Sequence, residues 1–186
     1  CHVLVEKPMS FNLAQAEALV EGAAKAGVYL GVGFLERFNP ALIDEQKPVT
    51  TFCAQRSSSQ RSDHPDLGLD WAIHDIDLAY YLTGSKWDVV ECREAEDRIV
   101  LRIEGSCGEV GRILVGSGRG PRRRSLWLDG HHVDLLTGEG DPLAAEIHAF
   151  IDTIQGGGDR RLAEGADGVR ALRLLADARQ ARALAA

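Results

Sequence analysis

Residues 3–34, VLVEKPMSFNLAQAEALVEGAAKAGVYLGVGF, decide how this chain begins to fold. Val3-Leu4-Val5 is an unbroken apolar run, the mark of a strand covered on both faces. Ser10 or Asn12 offers a side-chain oxygen to cap a helix, and Leu13, Ala16, Leu19, Val20 and Ala23 recur at helical spacing. Gly27 stands where a left-handed C-cap falls, and residues 28–34 are a second apolar strand. Strand, helix, strand in this order makes a βαβ unit and favours a parallel sheet.

Past residue 36 the texture changes. RFNPALIDEQ (37–46) predicts a short helix with Asn39 as its cap and Pro40 at the first position. VTTFCAQR (49–56) is strand-like, and SSSQRSDHPD (57–66) is a polar loop without periodicity. LGLDWAIHDIDLAYYLTG (67–84) predicts a buried helix ending at Gly84. WDVVECREA, RIVLRIEG, EVGRILVGS, RRRSLWLDG and HHVDLL follow as strand candidates separated by glycine-bearing turns, which predicts antiparallel hairpins. DPLAAEIHAFIDTIQGG (141–157) starts on the cap-and-proline pair Asp141-Pro142, and residues 166–185 are amphipathic. The expected class is therefore mixed α/β and α+β: the end of a Rossmann domain at 1–35, then 36–186 as a domain with one large, mainly antiparallel sheet and flanking helices.

At 186 residues, 45% hydrophobic and 26% charged, the chain has the composition of a globular protein with room for a core. Its formal charge of −7 argues against a general nucleic-acid binder. It has no apolar run of the roughly 18 residues that a membrane-spanning helix needs. Cys1, Cys53, Cys92 and Cys107 lack the close spacing of a zinc or redox motif, so they read as reduced thiols of a cytoplasmic protein.

The residues with chemical potential fall in a few stretches. On a helix, Asp70, His74, Asp77 and Tyr81 share one face, while Leu67, Leu69, Trp71, Ile73, Ile76 and Leu78 make the rest apolar. A polar stripe on a buried helix either closes an internal network or faces a cavity that takes a polar ligand. An Asp beside His74 would raise the basicity of the imidazole. Lys7, just past the end of a parallel strand, lies where open α/β sheets bind ligands, and Pro8 fixes the turn. Gly31 and Gly33 do not form a phosphate loop, because Glu36 stands at the third position and the glycines lie within a strand. GSGRGPRRRS (116–125) lacks the P-loop lysine and reads as a solvated hairpin or a contact for an anionic ligand or an interface. His131, His132 and His148 lack a third ligand at metal-binding spacing, and no nucleophile elbow supports hydrolase chemistry.

The order of these stretches is similar to that of the Gfo/Idh/MocA family of nicotinamide-dependent oxidoreductases. VLVEKPMSFNLAQAEALVEGAAKAGVYLGVGFLERFNP resembles the family's Rossmann end and crossover. DLGLDWAIHDIDLAYYLTG resembles its substrate-site helix, and the last two helices resemble its C-terminal pair. The resemblance implies hydride transfer between NAD or NADP and a secondary alcohol of a sugar, sugar-nucleotide or cyclitol. It implies His74 as acid/base, Lys7 as the group that polarises the reacting oxygen, and Asp70 as the group that orients the substrate and holds Lys7 or His74. Glu6, Lys7, Pro8 and Arg37 are the implied cofactor contacts, and homo-oligomers through the large sheet are the implied assembly, with neither nucleic acid nor membrane as a partner. The family's glycine-rich phosphate loop does not precede Glu6-Lys7-Pro8 here, so the chain is expected to be the trailing part of a longer protein and to bind NAD(P) poorly by itself. The competing expectation is a non-catalytic dimerisation or sugar-binding module. Arg119 and Arg122–Arg124 as a nucleic-acid contact is a third, which the net charge argues against.

Overall fold

A computed structural model describes residues 1–42, 49–62, 66–118 and 120–184. The opening unit forms as its pattern dictates. Strand β1 (Val3–Glu6) leads to helix α1 (Leu13–Ala26) and strand β2 (Leu30–Gly33), with β1 and β2 parallel. Asn12 caps α1 by accepting from the Gln15 amide at 2.9 Å, and Gly27 ends it in the left-handed conformation. Gly31 and Gly33 serve close packing here. A Cβ on Gly31 would stand 3.0 Å from Leu4, and one on Gly33 3.3 Å from Glu6.

The predicted helix over 37–46 is instead two short 3₁₀ turns, Leu35–Phe38 and Pro40–Leu42, and the remainder lies outside the described residues. Asn39 extends between them, and its Oδ1 accepts from the Ala41 amide, so it caps the second turn. Strand β3 (Thr51–Ser58) follows, and then the long helix, whose start differs from the sequence pattern. Gly68–Ala72 winds as a π-helix before α2 (Ile73–Thr83) continues as an α-helix to Gly84.

Strands β4 (Trp87–Ala95), β5 (Arg98–Gly105) and β6 (Val110–Ser117) form an antiparallel meander, and β7 (Arg123–Leu128) with β8 (His131–Asp134) a hairpin. The sheet order is β4-β5-β6-β3-β7-β8, antiparallel throughout except for β3 beside β6. On its inner face Phe52, Ala54, Ile99, Leu101, Ile103, Ile113, Leu126 and Leu128 are buried, at alternate positions along their strands. They share a core with Ile73, Ile76 and Leu78 of α2.

Helix α3 (Pro142–Ile154) is capped by Asp141 as its sequence predicts. Strand β9 (Ala163–Glu164) then joins β2 as a third, antiparallel strand, and α4 (Gly165–Leu184) packs on α1, α2, β2 and β4. The 1–35 unit and the larger sheet thus share one hydrophobic core, in which Met9, Ala16, Val32 and Phe34 join the sheet residues.

Candidate active site

The C-terminal end of β1 points its next residue at the π-wound start of the long helix. Lys7 Nζ donates to the Asp70 carbonyl oxygen at 2.6 Å and meets Asp70 Oδ1 at 3.1 Å. A π-turn departs from the regular i→i−4 ladder, and such turns recur at functional sites; here the Asp70 carbonyl serves a side chain sixty-three residues earlier in the chain. Ser62 Oγ donates to Asp70 Oδ2 at 2.5 Å. Gly68 lets the turn approach α4: a Cβ there would lie 2.8 Å from Arg179 Nη2 and 2.9 Å from Leu175 Cδ1.

Lys7, Asp70 and His74 line one cavity of about 320 Å³, together with Trp71, Ser57, Ser58, Gln60, Arg56 and Arg122–Arg124. The cavity is polar and sits between the end of β1, the start of the long helix and one end of β3 and β7.

His74 is half-buried in the wall, edge-on to Phe34 at 6.4 Å between ring centres. Its Nδ1 is buried and has no hydrogen-bond partner among the described residues. Burial, followed by the positive charges of Arg56, Lys7 and Arg124, holds its pKa well below the ordinary imidazole range. The expectation that Asp70 would raise its basicity is overturned. The Asp70 carboxylate is engaged by Lys7 and Ser62, and the charges that act on the imidazole are cationic. Of the two partners expected for Asp70, it is Lys7 that it holds.

The polar stripe divides. Asp70 and His74 line this cavity, whereas Asp77 is buried against Arg37, with Oδ2 2.8 Å from Nε and Oδ1 2.6 Å from Nη2. Tyr81 lies 5.0 Å from the Arg37 guanidinium. From residue 70 to 81 a helix advances roughly 16 Å, so the two ends of one stripe meet different neighbours. Arg37, expected beside the cofactor or substrate, does not line the cavity. It is 4% exposed, bonded to Asp77 and reaching Asp167 at 3.3 Å. Glu6 also stays out of the cavity lining; it is exposed beside Gly33. Pro8 follows Lys7 through a cis peptide bond.

A second network was not read from the sequence. Arg56 is buried and bonds Asp75 at 2.9 Å and Glu36 at 3.0 Å; Glu36 also takes Arg124 at 3.2 Å and Asn39 at 3.1 Å. Burial would raise the Glu36 carboxyl, but Arg56 and Arg124 outweigh it and hold it below its ordinary value. The signal for Arg56 was available: it continues the alternation Phe52, Ala54 onto the core face, where an arginine needs a partner. Glu36 and Asp75 gave no such signal, because only the fold brings them to β3.

Known proteins resemble this chain in sequence and in fold. Residues 1–34 match the Gfo/Idh/MocA model, described as an oxidoreductase family with an NAD-binding Rossmann fold. YrbE of Bacillus subtilis, named an uncharacterized oxidoreductase, is 31% identical over 126 residues, which are 60% of this chain and 36% of that protein. Myo-inositol 2-dehydrogenase of Thermotoga maritima is 31% identical over 129 residues, 61% of this chain and 38% of the relative. The match to the Gfo/Idh/MocA model is carried by the opening βαβ unit, and the similarity to these relatives extends over about three fifths of the chain. The solved structure of UDP-N-acetylglucosamine 3-dehydrogenase GnnA from Acidithiobacillus ferrooxidans superposes with a TM-score of 0.84 at 24% identity, covering 97% of this chain and 70% of that one, and shows the same fold. The stretches matched thus span well under half the length of these two curated Gfo/Idh/MocA relatives.

The chain's own residues fit only one end of a nicotinamide cofactor. Lys7 at the tip of β1 lines the cavity and suits the nicotinamide end. Among the described residues no glycine loop links a strand to a helix to cradle a pyrophosphate, since Gly31 and Gly33 are occupied in strand packing.

Proposed function

We propose that these residues form the substrate half of an NAD- or NADP-dependent dehydrogenase that acts on a secondary alcohol of a sugar, sugar-nucleotide or cyclitol. The observation that carries this reading is the convergence of Lys7, Asp70 and His74 on one polar cavity at the end of β1. The names of relatives, a myo-inositol 2-dehydrogenase and a UDP-N-acetylglucosamine 3-dehydrogenase, support the substrate class. The cofactor, when bound, takes or gives the hydride at the nicotinamide ring.

The protein's part is position, charge and a proton. Lys7, held by the Asp70 carbonyl and carboxylate, presents an ammonium to the reacting oxygen and stabilises the negative charge that develops there. His74, kept neutral by burial and by its cationic neighbours, accepts the hydroxyl proton during oxidation and returns it during reduction. Asp70 fixes Lys7 and, through Ser62, ties the polar loop to the helix. The outer face of the large sheet, which carries partly exposed Leu114 and Trp127, is the surface through which copies would associate.

The test is turnover by the full-length gene product with either nicotinamide and a panel of sugars and cyclitols. Lys7→Ala and His74→Ala are each expected to lower kcat by at least about a hundredfold. Unchanged turnover in either variant removes that residue's role. Absence of hydride transfer from every alcohol favours instead a sugar-binding module without redox chemistry.

A further inference from the structure

The cavity holds more positive charge than its own carboxylates answer. Among the described residues five basic side chains line it against one acid, Asp70, in a chain whose net charge is −7. Lys7 is paired with Asp70, and Arg56 with Asp75 and Glu36. Among the described residues Arg124 has only that same Glu36, whose Oε1 it shares with Arg56, at 3.2 Å. Arg122 and Arg123 are exposed and have no carboxylate partner among the described residues.

The sheet register aggravates this. Arg56 and Arg124 stand directly opposite each other on β3 and β7, and like charges directly opposite across strands destabilise a sheet. Arg122, just before β7, lines the same cavity as Arg124, while Arg123 also lines a groove between β3, β5 and β6. Two groups report the resulting field. The Arg124 pKa is lowered by burial and then by Arg56, and that of His74 by burial and then by Arg56, Lys7 and Arg124. Ser57 Oγ donates to the Pro121 carbonyl at 3.0 Å, which anchors the arginine-bearing turn over the cavity mouth.

We propose that the alcohol substrate carries an anionic substituent, a carboxylate or a phosphoryl group, gripped by Arg122 and Arg124 with Arg123 at the rim. This rests on the dehydrogenase reading above and narrows its substrate class. Guanidinium forks suit oxyanions of this kind because they offer paired donors in the plane that such groups accept. A cavity of about 320 Å³ is at the small end of ligand pockets, roughly 300–1,000 Å³, which suits one sugar ring with a compact charged group. It leaves a larger nucleotide to extend past Arg123.

The experiment compares matched probes on the full-length protein with saturating nicotinamide: glucose and myo-inositol as neutral members, glucuronate, glucose 6-phosphate and UDP-glucose as anionic ones. At least one anionic probe should exceed the neutral ones in kcat/KM by tenfold or more, and the advantage should shrink as salt is raised. Which anionic probe leads separates carboxylate from phosphoryl recognition. Arg122→Gln should raise KM for that probe tenfold or more with kcat within about threefold, and leave KM for the neutral probes unchanged. Equal preference for neutral and anionic probes, equal loss for both in Arg122→Gln, or a loss that appears in cofactor affinity would each overturn the proposal. Thermal-shift binding of the same probes without cofactor separates the two readings. An anion-dependent shift lost in Arg122→Gln, without turnover of any alcohol, sustains the anion grip and removes the dehydrogenase. No shift and no turnover with any anionic probe removes the grip.

Discussion

His74, the proposed proton acceptor, is set among cations that make taking a proton costly. Burial and then Arg56, Lys7 and Arg124 drive the His74 pKa down, and its buried Nδ1 has no partner among the described residues. A free enzyme built this way keeps His74 neutral well below the ordinary imidazole value of about 6.5. The pH profile of kcat/KM should therefore stay flat as pH falls through that region, its acid limb lying lower. An acid limb centred near the ordinary value would contradict the assignment. An anion held by Arg122 and Arg124 changes the account, since it offsets the field and makes the imidazolium less costly. With an anionic substrate, the limb in kcat, which reports the complex, should stand at higher pH than the limb in kcat/KM. With a neutral substrate, the two should coincide. Measuring both profiles with both substrates decides this, and coincident limbs with an anionic substrate would count against the grip.

At the scale of elements, the long helix owes its position to two buried ion pairs rather than to its apolar residues alone. Asp77 meets Arg37 from the 3₁₀ turn after β2, and Asp75 meets Arg56 from β3. Both pairs are nearly inaccessible, and removing one partner of such a pair strands the other charge at a cost of about 3–5 kcal/mol. Arg37→Ala is expected to lose that much in denaturant unfolding, while Arg37→Met with Asp77→Leu recovers most of it. A small loss in the single variant would mean that water reaches Asp77. These pairs also explain what the sequence could convey. The helix over 67–84 was legible from its apolar periodicity, and Lys7, Asp70 and His74 from their order along the chain. The partners of Asp75 and Asp77 were not, because each lies at least nineteen residues away on an element whose placement only the tertiary fold decides. The π-turn at Gly68–Ala72 was hidden for a related reason: a glycine that lets one helix approach another reads locally like any other. Arg124 did not stand out because a run of three arginines reads first as a solvated hairpin and only second as a contact for an anion or an interface.

For the whole molecule, β9 shows the same lesson in reverse. Two residues, Ala163 and Glu164, carry no periodicity, yet they close the first sheet and tie α3 and α4 to it. Glu146 of α3 is 1% exposed, and its buried Oε1 lacks a partner among the described residues. Burial, then repulsion from Glu6, pushes its carboxyl up to about 7. An acid raised on folding favours the native state where both forms are protonated, below the ordinary carboxylate value of about 4.3. That contribution is lost as pH rises toward 7, because the unfolded chain then gives up a proton that the folded one retains. His74 works in the opposite direction. Its lowered value leaves stability intact above about 6.5 and removes it as pH falls below that, since the unfolded imidazole binds a proton that the folded one refuses. Glu146→Gln separates the two. At pH 8 the variant should melt higher than the parent by roughly 5 °C, and at pH 5 the difference should narrow to within a degree or two. If the two melting curves stay parallel from pH 5 to 8, Glu146 ionises normally and its side chain is open to water. If the variant melts lower at both ends, its carboxyl makes a bond in the native state that outweighs its burial.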